Sequence, residues 1–461
     1  MYFPNKMDLK KTSIIVVFIL LLTPGILPQE QDLNLTTSKG LNIKIVKDTK
    51  ILFFHAEIVI YYTNIKNPAV PYLTLFNIFN NTVNEPRSGL LNILFKLGND
   101  VEIEQNIDHI IFKINFLSER VPLFLQFLKE LFSYKDFSLK KFNYSVANFQ
   151  NLFQGTNNWE KILASQVAYE KILGKTHSGK FLISSGSLKN LNLSHIRSFY
   201  KKNYSLSGAY VVIRGNINPY ILFGSIEKAF KNFKDKKNGI NKIFYKTYSN
   251  DRKIFLIDMN EHYSPLIYWF ETIPPGNSIS HHQAKIVNNI IFGYPLGRIS
   301  RVLSNSGIKN FNITTSIKNH RNVSIVCNKI RTSYKNIKKF IFIADNIINK
   351  FGAGRVGRKE YLNAYNYFYL SRKVELDDYR NKTKQDILHA INRKKPNTPV
   401  INFNGIIKNV NFSSFNKLLV SPPEYYKFSR NRKRGVIVIL GNSKIISKNL
   451  KGMNPETIRI Y

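Results

Sequence analysis

"GAYVVIRGN" runs from Gly208 to Asn216, and "GVIVILGN" runs from Gly435 to Asn442. Each is a β-branched run that ends in Gly-Asn, and each is followed by a helical pattern, "PYILFGSIEKAFKNF" in the first case and "SKIISKNLKGM" in the second. The terminal glycines, Gly215 and Gly441, are separated by about half the chain, far more than the ~20 to 50 residues of a solenoid or propeller repeat. The repeat is that of a domain, and a chain of 461 residues with 43% hydrophobic content can bury the cores of two.

The segments between the two strands replay one order. In the first half "LNIKIVKDTK" and "FFHAEIVIYY" read as strands, "SGLLNILFKLG" as a short helix closed by Gly98, "IDHIIFKINFL" as a strand and "SERVPLFLQFLKELFSY" as an amphipathic helix. Helical patterns then fill Ser138 to Tyr204. In the second half "IFLIDMN" and "LIYWFET" are strands, "SHHQAKIVNNIIFG" and "RISRVLSN" helices, and "IKNFNITTS" with "NVSIVCNKI" a hairpin. The helix "SYKNIKKFIFIADNIINKFG" and further helical patterns from Lys359 to Leu419 lead to the closing strand. Blocks of strands and blocks of helices predict an α+β fold with antiparallel-rich sheets packed with helices. The polar run "DKKNGINKI", Asp235 to Ile243, is the expected linker.

Composition narrows the function classes. Lys and Arg number 68 against 29 Asp and Glu, a net charge of +39. The bases are scattered over every segment, and Asn, Ile, Phe and Tyr are abundant with Lys, the pattern of an AT-rich genome. Most of the charge is therefore compositional, and no specific nucleic-acid partner is expected. The densest run, "KFSRNRKRG" from Lys427 to Gly435, reads as a solvated loop. The single cysteine, Cys327, lies in a strand-like run; it excludes an intrachain disulfide and a Cys-rich metal site. At the N-terminus Lys10 and Lys11 precede an apolar run from Ile14 to Leu22 that Pro24 and Gly25 break. Residues 1–30 read as a signal peptide or N-terminal membrane anchor, which predicts export or anchoring at the cell envelope. "GAGRVG", Gly352 to Gly357, matches a dinucleotide fingerprint in letters only: it follows a helix where the motif needs a strand, and reads as a linker between helices.

In this order the segments resemble the insulinase (pitrilysin) family of zinc metallopeptidases, which includes the mitochondrial processing peptidases and paired bacterial envelope proteins. The resemblance spans Leu33 to Tyr461. It is carried by "LTTSKGLNIKIVKD", by "YEKILGKTHSGKFLISSGSLKNLNLSHIRSFYKKNYSLSGAYVVIRGNI" with His177, and by "IIFGYPLGRISRVL". The family is built from two homologous halves, so the resemblance implies insulinase-like domains at 31–240 and 241–461, and explains why one strand is written twice.

The resemblance also implies where chemistry should sit. Active members carry H-x-x-E-H on a helix of the first half: two His at i and i+4 hold Zn²⁺ and the Glu between them activates water. Laid on "SGLLNILFKLG", the motif falls on Asn92, Phe95 and Lys96, none of which can hold or serve the metal. The helix that should supply the distant Glu, "SLKKFNYSVANFQNLFQ", contains no carboxylate. In the second half the family's substrate clamp, an Arg and a Tyr in L-R-E-x-x-G-x-x-Y, falls on Ser304 and Phe311 of "LSNSGIKNF", while Arg298 keeps the family's "gRL" arginine, which could equally be structural. His281 and His282 open a helix with side chains about 100° apart and do not form a chelate. The resemblance thus implies a non-catalytic subunit without zinc, in a hetero-oligomer with a zinc-binding insulinase-like partner, enclosing unfolded peptide in the bacterial periplasm or envelope. Two alternatives stand beside it: an active zinc metalloendopeptidase whose ligands lie elsewhere, and a basic envelope protein that binds anionic surfaces.

Overall fold

The computed structural model describes residues 32–62, 67–79, 89–98, 101–133, 137–155, 159–173, 185–233, 252–259, 264–276, 278–320, 323–351, 356–378 and 435–458, with a few isolated positions between them. The expected leader, the linker at Asp235 to Ile243, His177 and the "KFSRNRKR" run lie outside these residues.

The first half contains β1 (Asp32–Thr36), β2 (Asn42–Lys47), β3 (Phe54–Tyr61), α1 (Ala69–Phe79), α2 (Gly89–Leu97), β4 (Glu102–Gln105) and β5 (His109–Phe116). It continues through α3 (Val121–Phe132), α4 (Leu139–Ala147), α5 (Phe149–Gln154), α6 (Trp159–Ile172), α7 (Ser185–Lys189) and α8 (Leu193–Asn203) to β6 (Ala209–Gly215) and α9 (Pro219–Phe230). The second half runs through β7 (Lys253–Asp258), β8 (Leu266–Ile273), α10 (Ile279–Phe292), α11 (Arg298–Asn305), β9 (Asn312–Asn319), β10 (Ser324–Arg331), α12 (Ile337–Phe351) and α13 (Arg358–Asp377). It closes with β11 (Val436–Gly441), α14 (Ser443–Asn449) and β12 (Glu456–Ile458).

Two six-stranded sheets result, ordered β1-β2-β6-β3-β5-β4 and β12-β7-β11-β8-β10-β9. The repeated strands β6 and β11 hold the same place in each. β6 pairs parallel with β2 and antiparallel with β3, and β11 pairs parallel with β7 and antiparallel with β8. Both sheets are antiparallel-rich, as expected. They differ at one edge, where β1 is antiparallel to β2 and β12 is parallel to β7. The first four residues of "GAGRVG" lie outside the described residues; α12 ends before the run and α13 starts after it.

Strand alternation gives each sheet two faces. On one, Ile43, Ile45, Val211 and Ile213 pack under the first half's own helices; their counterparts Ile254, Leu256, Ile437 and Ile439 pack under those of the second. The opposite faces are covered across the halves. α6 lays Leu163, Ala164 and Val167 in the same cluster as Phe255, Tyr268, Phe270 and Val438 of the second sheet, and the Tyr169 ring meets Phe270 edge-on at 6.3 Å. In return Ile387 of the second half packs on Val59, Ile111 and Val212 of the first sheet. Beside it Asp386 accepts from Lys44 at 2.7 Å and from Arg214 at 3.1 Å.

α1 has no counterpart in the sequence reading. Its run "AVPYLTLFNIF" is buried on nearly every side, so it carries no amphipathic period to detect.

The glycine that ends β6 is required by a close approach. A Cβ on Gly215 would sit 1.8 Å from Cδ1 of the buried Phe54 ring, whereas one on Gly224, exposed on α9, would meet nothing within 4 Å. Gly215→Ala should therefore cost about 1 to 3 kcal/mol through overpacking, and Gly224→Ala should be neutral or stabilising by up to about 1 kcal/mol. Urea denaturation of both variants checks this; equal midpoints would refute it.

Candidate functional site

α2 separates two faces cleanly. Leu90, Ile93, Leu94 and Leu97 are buried, largely against α3, and Gly98 with φ +79° ends the helix. Asn92, Phe95 and Lys96 are exposed, Phe95 by 69%. The structure therefore brings these three together on one open helix face, with Asn92 and Lys96 a turn apart at i and i+4. An Arg120 guanidinium donates to the Lys96 carbonyl, which adds a second cation beside the Lys96 ammonium. Zinc does not fit this face: an amide, a phenyl ring and an ammonium offer no anionic or imidazole donor, and the nearby cations repel a divalent one.

The helices expected to supply the distant carboxylate are α4 and α5. Phe142, Phe149 and Phe153 anchor them in the core, and Ser145 accepts from Asn77 at 2.9 Å. Among the described residues no group of three or more His, Cys, Asp or Glu is placed to hold a metal ion.

The two clamp positions part company. Ser304 is exposed near the end of α11, whereas Phe311 is buried with its ring edge-on to Tyr294 at 5.6 Å. Phe311 fills the core of the second half and presents nothing to an open site. Arg298 is taken up structurally: its guanidinium donates twice to Glu360 at 2.7 Å and lies 4.9 Å from the centre of the Phe351 ring, and Arg301 adds a third bond to Glu360 at 2.9 Å. Burial alone would raise the Glu360 carboxyl, but the two guanidinium groups outweigh it and hold it below the usual carboxylate value. His281 and His282 are both buried; the first bonds the Pro274 carbonyl at 2.9 Å and the second lies against Phe368. Cys327 is in the core, where burial pushes its thiol up to about 12, so it is not nucleophilic at neutral pH.

Sequence reading missed two buried polar groups. On β3, His55 bonds Asn115 at 2.8 Å and Glu57 at 3.1 Å. The signal was available, because "HAE" puts His55 and Glu57 on one strand face. The second group joins the halves. Asp108, in the β4–β5 turn, lies 2.6 Å from His109 Nδ1 and 3.8 Å from Nδ1 of His320, which follows β9 in the other half. All three are at most 2% exposed, the Tyr169 ring stands edge-on to His320 at 5.5 Å, and Glu104 pairs with Lys318 alongside. Only the fold brings positions so far apart in the chain together.

Residues 190–365 match the family model described as the Peptidase M16 inactive domain. No curated protein matches in sequence. Among solved structures, the M16 inactive domain from Pseudomonas fluorescens aligns with a TM-score of 0.67 at 14% identity, over 90% of this chain and 98% of that one. A putative M16-like peptidase from Alicyclobacillus acidocaldarius gives 0.66 at 10%, over 90% and 99%. The periplasmic protease PqqL from Escherichia coli gives 0.66 at 13%, over 91% of this chain and 48% of its own. The fold is that of two-domain M16-like proteins. The match over residues 190–365 and the shared fold bear out the resemblance to the insulinase peptidases.

The inter-half cluster has a pH sign. Burial would raise the Asp108 carboxyl, but His109 and His320 outweigh it and hold it well below its usual range. Burial lowers the His320 imidazole against the pull of Asp108. Both folded values are depressed, so both contributions are present at neutral pH. That of His320 is lost as pH falls below about 6.5, and that of Asp108 as pH falls below about 4. Stability should decline from pH 7 to pH 5, and His320→Gln should flatten the slope by up to about 1.4 kcal/mol per pH unit. Urea melts across that range check it; parallel slopes would refute it.

Proposed function

We propose that this chain is a non-catalytic insulinase-family subunit that forms half of a peptide-enclosing chamber with a partner bearing an intact H-x-x-E-H motif. The observation that carries the reading is the open face of α2: the fold of the peptidase is retained while Asn92, Phe95 and Lys96 occupy the positions laid on the motif. Ser304 and Phe311 at the clamp positions fit the same division of labour, in which the partner supplies zinc, base and oxyanion donors. In this reading 31–240 and 241–461 are the two insulinase-like domains and 1–30 is a leader. Export to the periplasm or envelope is supported by the charged and apolar pattern of that leader and by the periplasmic location of the similar protease PqqL. Among the described residues no helix is long and apolar enough to cross a membrane. The substrate class is unfolded peptide.

The alternative of an active zinc peptidase is disfavoured by the donor set. Both the α2 face and the α4–α5 helices lack ligands, so rebuilding the motif alone leaves a site one carboxylate short.

The purified chain should retain well below one zinc per molecule after dialysis, and Asn92→His with Phe95→Glu and Lys96→His should not cleave peptide. Co-expression with an insulinase-like chain carrying H-x-x-E-H should give a co-eluting hetero-oligomer whose cleavage is lost when the partner's motif is mutated. Chelator-sensitive cleavage by this chain alone, or failure of the two chains to associate, overturns the reading.

A further inference from the structure

The positive charge of this chain is broadly distributed, but one surface of the second half concentrates it. The end of α11, the start of α12 and the turn after α14 converge there. Lys338 Nζ donates to the Lys451 carbonyl at 3.0 Å, Lys339 Nζ donates to the Ser306 carbonyl at 3.2 Å, and the Asn442 amide donates to the Tyr334 hydroxyl at 3.0 Å. Beneath them Ile337, Ile341, Ile446 and Leu450 share one buried cluster. Lys309, Lys335, Lys338, Lys339, Lys448 and Lys451 are all exposed on these adjoining elements.

Carboxylates are sparse on the same surface, where among the described residues Asp258 accepts from the Ser443 amide at the start of α14 at 2.9 Å. From Arg301 to Phe351 the only acid is Asp345, which is buried and paired with Arg252. From Ser443 to Pro455 there is none; the next, Glu456, lies on the edge strand β12. The lysine amines that do find partners meet neutral carbonyls, so their charge is not compensated.

Composition alone does not place this charge. In the first half, α3 and α9 hold the places that α12 and α14 hold in the second, following β5 and β6 as those follow β10 and β11. Across Ser118–Phe132 the charges are Glu119, Arg120, Lys129 and Glu130, which balance, and across Pro219–Phe233 they are Glu227, Lys228 and Lys231, one net positive charge. The related surface in the second half carries lysines in their place.

Two apolar side chains stand among these lysines. Phe342 is 60% exposed, one turn beyond Lys338 and Lys339 on the same side of α12. Ile445 is 44% exposed on α14, within a turn of Lys448. Ammonium groups spread over three elements match a planar array of phosphates better than a single anion. An aromatic and an aliphatic side chain projecting between them suit the boundary between headgroups and acyl chains. Ile445 has no ring on which a base would stack, which favours lipid over single-stranded nucleic acid.

We propose that the α11–α12–α14 surface docks this protein on an anionic phospholipid membrane, with Lys335, Lys338, Lys339, Lys448 and Lys451 against the phosphates and Phe342 and Ile445 entering the interface.

The test is co-sedimentation of the full chain with phosphatidylcholine vesicles, with and without about 30% phosphatidylglycerol, at physiological salt. Wild type should bind only the anionic vesicles. Lys335→Glu with Lys338→Glu and Lys339→Glu should weaken that binding at least about tenfold. Lys140→Glu with Lys201→Glu and Lys231→Glu, which makes the same charge change on exposed positions of the first half, should weaken it less than about twofold. Phe342→Ser should weaken binding while leaving its salt dependence unchanged. All variants keep the same N-terminal apolar segment, so insertion of that segment cannot produce the difference, and circular dichroism melts confirm their folding. Equal loss in both triple variants would mean diffuse charge and overturn the proposal. So would equal binding to neutral vesicles, no vesicle binding, or tighter binding of single-stranded RNA through the same three lysines.

Discussion

Each sheet has two faces to cover, and among the described residues each half's own helices cover one of them. The exchange of cover across the halves is the constraint on which the rest of the molecule depends. α6 leaves the first half to lie on Phe255, Tyr268 and Phe270, and Ile387 returns from the second half to Val59, Ile111 and Val212. An uncovered β-branched sheet face would lose about 25 cal/mol for every Å² returned to water, so neither half is a complete folding unit by itself. The polar contacts at the exchange follow the same rule. Asp386 is held by Lys44 and Arg214, and Asp108 by His109 with His320 close by, because buried carboxylates need partners.

The same burial pattern separates the positions of α2 that carry the fold from those that do not. α2 contributes to stability through Leu90, Ile93, Leu94 and Leu97, all on its buried face. The positions laid on the zinc motif are on the opposite face, where substitution leaves the core packing untouched. The same logic separates Ser304 from Phe311. Ser304 is exposed and tolerates change, whereas Phe311 has become part of the core beside Tyr294. Arg298, for which the sequence left a structural role open, is held by a bidentate pair with Glu360 and by the Phe351 ring.

The two halves have diverged most where packing does not restrain them. Their central strands, helix order and sheet order agree, while the edge strands β1 and β12 differ in direction and the exposed ends of α3 and α12 differ in charge.

The sequence by itself determined the duplication, the α+β class, most strands and helices, and the absence of zinc-ligand chemistry at Asn92, Phe95 and Lys96. These are local properties: β-branched runs, apolar spacing and residue type at a motif position can be read without knowing what packs against what. α1 escaped because a helix buried on all sides has no period. Only the tertiary structure decided that α6 and Ile387 cross between the halves, that Asp108 meets His320, that Phe311 and the His281–His282 pair are buried, and that lysines from three separate segments form one surface. Each of these joins residues distant in the chain, and strand or helix periodicity reports which side of an element is apolar, not which other element will cover it.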